Sequence, residues 1–206
     1  NNPKILYVGV GGGMELLQFA YFSRQKNGVV GIDVVDEMLE ASRKNFKVAE
    51  EQNSWFKSEF VDLKKGDATD LPVEDNSIDV AAQNCLFNIF KTEELTKALQ
   101  EMYRVLKPHG RLVMSDPTCE QEMNEELRND ERLRALCLSG SLSIADYVKA
   151  LTDAGFGTIE IYGRALNRFG GLFVLLLLII LQSPIKRSQS GARCFHTGLV
   201  FAHFDR

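Results

Sequence analysis

The sequence predicts an α/β fold: a doubly wound, mostly parallel sheet with helices on both faces. Three observations carry the prediction. Short apolar runs alternate with stretches of helical periodicity from Lys4 to Tyr162, the pattern of a parallel sheet covered by crossover helices. The first run, Lys4 to Val8, passes straight into Gly9-Val-Gly-Gly-Gly13. The second run ends in an acid, Asp33. Strand, glycine turn and helix, followed by an acid after the next strand, is where such folds bring backbone close to a nucleoside.

The elements follow in order. Met14 to Arg24 has helical character, with Leu16, Leu17 and Ala20 on one face. Gly28 to Asp33 is a second strand, and Asp36 is placed to cap the next helix, in which Met38, Leu39 and Ser42 lead to Phe46. The polar stretch Glu50 to Glu59 is anchored by Trp55 and Phe56. Phe60 to Lys64 alternates as a third strand before the loop Gly66 to Pro72. Ile78 to Ala82 is a buried fourth strand, ending at Gln83-Asn84-Cys85. In Thr92 to Leu106, residues Leu95, Ala98, Leu99, Met102 and Leu106 fall at helical spacing, and Pro108 and Gly110 stop the helix. Arg111 to Met114 is a fifth strand, opening into Ser115-Asp116-Pro117.

Glu120 to Leu136 is highly charged with a thin stripe of Met123, Leu127 and Leu133, which predicts a helix across the top of the sheet. Ser143 to Asp146 resembles a capping box, Val148 and Leu151 face inward from the helix, and Gly155 ends it. Gly157 to Tyr162 alternates as a sixth strand, with Ile159 and Ile161 on one face. Right-handed crossovers put Gly9–Gly13, Asp33, Asp67 and Asn84–Cys85 on one edge of the sheet, where a ligand is expected.

Composition narrows the class. A length of 206 residues suits one large domain or one domain with a small addition, and the 45% apolar and 25% charged fractions are those of a globular protein. The formal net charge of −4 carries no nucleic-acid footprint. Cys85, Cys119, Cys137 and Cys194 are widely spaced with no C-x-x-C, which predicts reduced thiols and a cytoplasmic location. The chain opens at Asn1, without an initiator methionine, and is expected to be a fragment or processed form. Residues 1–163 read as one domain and 164–206 as an atypical tail. There the apolar run Leu172 to Leu181 falls short of the roughly 20 residues a membrane helix needs. It predicts a buried final strand, antiparallel at the sheet edge, and no membrane partner is expected.

The candidate nucleoside site comprises Gly9, Gly11 and Gly13 of the turn, Asp33 with its neighbour Val34, the loop pair Asp67 and Ala68, and Asn84. Asp33 lies 20 positions after Gly13, where a carboxylate accepts from both ribose hydroxyls. Asp67 can accept an adenine amino group, with Ile32 and Leu71 as flat apolar contacts. Asp33 alone leaves a nicotinamide dinucleotide and S-adenosylmethionine both open.

From Lys4 to about Tyr162 the chain resembles the class I S-adenosylmethionine-dependent methyltransferases. Gly66-Asp-Ala-Thr-Asp-Leu-Pro72 with Asp75-Asn-Ser-Ile-Asp79 resembles that family's adenine loop and fourth strand, and Tyr103-Arg-Val-Leu-Lys-Pro-His-Gly110 its helix stop. The resemblance implies the Rossmann-like class I methyltransferase fold for residues 1–163 and S-adenosylmethionine as cofactor. One departure stands out: the family usually has an acid in the first strand, where this chain has Tyr7. That acid helps hold the cofactor's amino group, so binding is weaker here or backbone near Asn84 takes over.

Two further segments resemble arsenite methyltransferases. Asn84-Cys85-Leu-Phe-Asn88 is similar to that subfamily's Asn-Cys-Val-x-Asn, and Leu136-Cys137-Leu-Ser-Gly-Ser-Leu142 to its Glu-Cys-Leu-Gly-Gly-Ala-Leu. The resemblance implies that Cys85 and Cys137 are catalytic as ligands of trivalent arsenic, thiolates being ligands for thiophilic elements. Family members also carry a cysteine upstream of the first strand. Cys119 or Cys194 could substitute for it, though each reads as structural.

The implied acceptor is arsenite or methylarsenite, with a thiol reductant as co-reactant. An arsenic lone pair directed at the sulfonium methyl needs positioning and desolvation rather than a strong base. His109, His196 and His203 have no matching catalytic partners in the sequence and read as structural or surface residues. The alternatives are methylation of another small molecule, or a cofactor-binding remnant that does not turn over. A nicotinamide dehydrogenase lacks its longer glycine fingerprint here.

Overall fold

The computed structural model describes residues 2–119, 123–169 and 172–182, with residues from 162 onward described by their backbone alone. Its seven-stranded sheet has the order β3-β2-β1-β4-β5-β7-β6. Strands β1 (Ile5–Val8), β2 (Val29–Asp33), β3 (Val61–Lys65), β4 (Ile78–Asn84) and β5 (Leu106–Thr118) pair in parallel. Strands β6 (Thr158–Phe169) and β7 (Leu172–Gln182) form an antiparallel pair. The expected doubly wound α/β sheet is therefore present.

The alternation of β1 explains the two layers. Leu6 and Val8 point to one face, where α3 (Thr92–Val105) and α6 (Ile144–Asp153) contribute Leu95, Leu99, Met102, Tyr147 and Leu151. Ile5 and Tyr7 point to the other, against Leu16 and Ala20 of α1 (Met14–Ser23) and Leu39 and Phe46 of α2 (Asp36–Gln52). Successive strand residues face opposite ways, and each fully buried side chain of this size contributes about 1.5–3 kcal/mol. Phe56 is buried against Phe46 and Trp55, as its anchoring role required.

Several elements differ from expectation for local reasons. Asp36 is the first residue of α2 rather than its cap: Val35 is the cap, and the Asp36 carboxylate takes Lys65 Nζ at 2.5 Å. Helix α3 passes into β5 without a gap. Leu106 pairs with Ile78 and Arg111 with Val80, so Lys107 to Gly110 bulge out between them, with His109 at φ 68°. The charged stretch after Glu120 is not one helix. It forms α4 (Glu125–Arg128) and α5 (Glu131–Ala135), separated because Asp130 caps α5 by accepting from the Arg132 and Leu133 N–H groups. Ser143 caps α6, its Oγ accepting from Asp146 N–H at 3.1 Å, but the Asp146 carboxylate takes that hydroxyl at 2.7 Å instead of the Ser143 backbone N–H that a capping box uses. In α6 Tyr147 and Leu151 are the buried residues, with Val148 only partly so. Ile159 packs against the core, whereas Ile161 is exposed at a register shift.

The apolar run after residue 171 is the antiparallel strand β7, but not at the edge. It lies between β5 and β6, pairing Leu112 with Leu181 and Ile159 with Leu181. The sheet thus continues past residue 163. Cys194, His196, His203 and the basic segment around Lys186 lie outside the described residues. Among the described residues no helix is long and apolar enough to cross a membrane.

Candidate active site

The site forms where β1, β2, β4 and β5 end. Val8 is level with Ile32 of β2 and Gln83 of β4, so the loops that follow these strands meet at one edge. Gly9, Gly11 and Gly13 have φ of 80°, 50° and 82°, a conformation that costs any residue with a Cβ. The turn is held from α2: Ser42 Oγ donates to Gly11 O at 3.0 Å and Asn45 Nδ2 to Gly12 O at 2.8 Å. A Cβ on Gly13 would lie 2.8 Å from the Phe46 ring, whereas one on Gly11 would meet nothing within 4 Å. Gly13 is therefore required for packing. Gly11 faces open space at the sheet edge, a cradle that a side chain would fill.

Asp33 stands across this cradle. Its Oδ2 accepts from Gly11 N–H at 3.4 Å and its Oδ1 from Val35 N–H at 2.9 Å. Val34 beside it is 59% exposed, an apolar surface open at the rim. Asp67 is turned partly onto its own loop, with Oδ1 accepting from the N–H and hydroxyl of Thr69 at 2.8 Å each. Ala68 is buried behind it. Ile32 and Leu71 do not offer the open apolar faces expected of them: both are buried, because the Gly66–Pro72 loop folds down onto Ile32. Val34 supplies the exposed surface instead. The loop is gripped from α3, an arrangement missed in the sequence. Arg104 donates to Leu71 O at 3.0 Å, Val73 O at 2.9 Å and Asp75 Oδ1 at 2.5 Å, while Glu101 Oε2 accepts from Leu71 N–H at 2.7 Å.

Asn84 is exposed at the end of β4, level with Ser115. Cys85 follows at φ 53°, and Cys137, far along the chain, has φ 59°. A left-handed conformation at two ordinary residues is uncommon, and such strain gathers at functional sites. The two meet: Cys137 Sγ donates to Cys85 O at 3.0 Å. Both are half-buried, and with Cys119 they are outside any disulfide. Burial, then the Asp116 carboxyl, then the neighbouring Cys137 and Glu15, push the Cys85 thiol up to about 11. Burial and Asp116 raise Cys137 in the same way. Among the described residues no cluster of three His, Cys, Asp or Glu is arranged to hold a metal ion.

A buried polar network supports the two thiol turns. Gln83 Nε2 donates to Asp116 Oδ2 and Gln83 Oε1 accepts from Leu86 N–H, the residue after Cys85. Asp116 is 1% exposed with Oδ1 lacking a hydrogen-bond partner among the described residues. Burial raises it to about 8, against the hydrogen bonds from Gln83 and Phe87 N–H. Asn88 donates to Pro117 O at 3.0 Å and Cys137 O at 3.2 Å, and accepts from Tyr147 Oη at 2.6 Å. Gly140 fits beneath because a Cβ there would lie 2.1 Å from Asn88 O. Of these residues, Asn88 lay in the motif already noted. Gln83 and Asp116 carried a signal, being polar residues at the ends of apolar strands; Tyr147 carried none.

A parallel sheet with a glycine cradle, an acid after β2 and a loop acid after β3 defines a nucleoside-cofactor site of the Rossmann-like kind. Comparison with known proteins fixes the class. Residues 6–114 match the methyltransferase domain family, and the chain belongs to that family, the class I S-adenosylmethionine-dependent methyltransferases. It is 28% identical over 157 residues to an arsenite methyltransferase of Halobacterium salinarum, covering 76% of this chain and 38% of that protein. With a Homo sapiens arsenite methyltransferase the identity is 31% over 160 residues, covering 75% and 41%. The chain thus spans less than half the length of these relatives. A solved structure with the same fold is CrArsM, an arsenic(III) S-adenosylmethionine methyltransferase of Chlamydomonas reinhardtii, at TM-score 0.78 and 20% identity, covering 90% of this chain and 65% of that one.

S-Adenosylmethionine is the cofactor of this class, and the chain's residues fit it. The open cradle at Gly11 admits close backbone approach, and the Asp33 carboxylate stands beside it.

Proposed function

We propose that this chain carries the catalytic core for methyl transfer from S-adenosylmethionine to trivalent arsenic bound by Cys85 and Cys137. The observation that supports the reading is the contact of the Cys137 thiol with the Cys85 backbone carbonyl, 52 residues apart in sequence, which brings the two cysteine turns together. Gly9, Gly11, Gly13, Asp33, Val34, Asp67, Ala68 and Asn84 are assigned to the cofactor. Bound there, it would supply an electrophilic methyl on a sulfonium sulfur.

The chain's own residues bind and orient the acceptor. Both thiols are held protonated by their surroundings. Exchange of an arsenic hydroxyl for each sulfur balances without a net proton: the S–H proton leaves with the hydroxyl as water, and an As–S bond forms. The third position on arsenic is left to hydroxide or an external thiol. Both cysteines are half-buried, so the chain contributes by positioning and partial desolvation. Methyl transfer would form an As–C bond from the arsenic lone pair while the sulfonium sulfur keeps the broken C–S pair as a neutral thioether; arsenic is thereby formally oxidised by two electrons to the pentavalent state, so a thiol reductant must return it to the trivalent state.

The test is arsenite-dependent transfer of label from S-adenosylmethionine, in wild type against Cys85→Ser and Cys137→Ser. Loss of transfer in both supports the assignment. Full activity in either overturns it, and transfer only to another acceptor assigns the chain to a different small molecule.

A further inference from the structure

We propose that Glu15 replaces the missing strand-one acid and holds the cofactor's methionine ammonium group, with the Tyr7 hydroxyl beside it. The inference rests on the cofactor reading of the glycine edge. A primary ammonium buried against protein needs an anionic acceptor. The acids at this edge can be taken in turn. Asp33, which already takes the Gly11 and Val35 N–H groups, is assigned to the ribose end of the cofactor. Asp67, held on its own loop by Thr69, is assigned to the adenine end. Asp116 is sealed at 1% exposure beneath Gln83. Glu15 is half-buried, yet carries neither a hydrogen bond nor an ion pair among the described residues.

The placement of Glu15 follows from the helix. Met14, the first residue of α1, is 64% exposed, while Glu15 is partly buried. Four residues further on, Phe19 shares its face, and the Phe19 ring lies 5.7 Å from the ring of Tyr7. Helix α1 runs back against the direction of β1, as a crossover helix does. Glu15 therefore sits one turn nearer the open edge than Phe19, above the position where the strand-one acid is replaced. Its charge bears on both the Tyr7 phenol and the Cys85 thiol, each already raised by burial. As the second residue of α1, directly after Gly13, Glu15 stands where the interval that a methionine chain must cross from cradle to acceptor begins.

The test is calorimetric binding of two ligands to the intact chain. S-Adenosylhomocysteine carries the ammonium; 5′-methylthioadenosine has the same adenosine and thioether without it. Glu15→Gln is expected to weaken S-adenosylhomocysteine by about tenfold or more, the worth of one charge-assisted hydrogen bond. Methylthioadenosine should stay within about twofold of wild type. Glu15→Asp should keep part of the discrimination. Unchanged S-adenosylhomocysteine affinity in Glu15→Gln, or equal weakening of both ligands, overturns the proposal alone. Failure of wild type to bind either ligand overturns it together with the cofactor reading beneath it.

Discussion

The thiol of Cys137 donates to the backbone carbonyl of Cys85 at 3.0 Å, so a short hydrogen bond joins two turns that are each held in the left-handed region. A serine hydroxyl can make the same bond but is a poor ligand for arsenic. Cys137→Ser is thus expected to fold and to bind S-adenosylhomocysteine like wild type. Its arsenite-dependent transfer should fall on the order of 100-fold or more, the scale at which metal-site ligation fails when a supporting group is lost. Equal loss of cofactor binding would mark the cysteine as structural.

Asp116 predicts a pH dependence. Its folded value of about 8 lies above the ordinary 3.8, so the folded state holds a proton that the unfolded state has released. This stabilisation is complete below the unfolded value and is lost as pH rises through about 8. The carboxylates of Asp79 and Glu101 are held low instead, so their contribution fades only in acid. Thermal unfolding between pH 5 and 8.5 should therefore show Tm falling with pH by several degrees. Asp116→Asn should flatten that slope, and an unchanged slope would refute the assignment.

Gly11 and Gly13 should separate binding from stability. Alanine at Gly13 must adopt φ 82° and meet the Phe46 ring at 2.8 Å, costing about 1–3 kcal/mol in urea unfolding. Alanine at Gly11 meets nothing and should cost about 1 kcal/mol for its backbone alone. Yet its methyl enters the cradle, so S-adenosylhomocysteine affinity should fall about tenfold or more. Similar stability losses with unaltered binding would place the ligand elsewhere.

Arg104 is expected to act through the loop it grips. Arg104→Gln removes donors to Leu71 O and Val73 O and leaves Glu101 without its cation. A stability loss of about 1–3 kcal/mol follows from those broken bonds. Because Asp67 and Ala68 ride on the same loop, S-adenosylhomocysteine should weaken while arsenite-thiol binding, followed by thiol titration, stays unchanged.

Much of this was legible along the chain because it is local. The glycine turn, Asp33, the Ser143 cap and the periodicity of α3 all depend on residues within a few positions of each other. The partnership of Cys85 and Cys137 was read only through resemblance to motifs, since nothing local announces a contact across 52 residues. The break at Asp130 was misread because a cap and an interior acid look alike in a charged stretch. Gln83, Asp116 and Tyr147 were passed over because their partners lie on other elements, and only folding shows that their polar atoms face inward. The place of β7 was beyond reach for the same reason: its composition predicts a strand, but its neighbours are set by pairing with β5.

That pairing has a consequence for synthesis. Among the described residues strand β6 bonds only to β7, and β7 alone joins it to β5. A nascent chain that has already emerged past residue 169 holds β5 with a bare hydrogen-bonding edge and β6 with nowhere to dock. Until β7 arrives, the half-made protein presents a template for other chains, so early termination or slow elongation before residue 182 should yield aggregates rather than a smaller working domain.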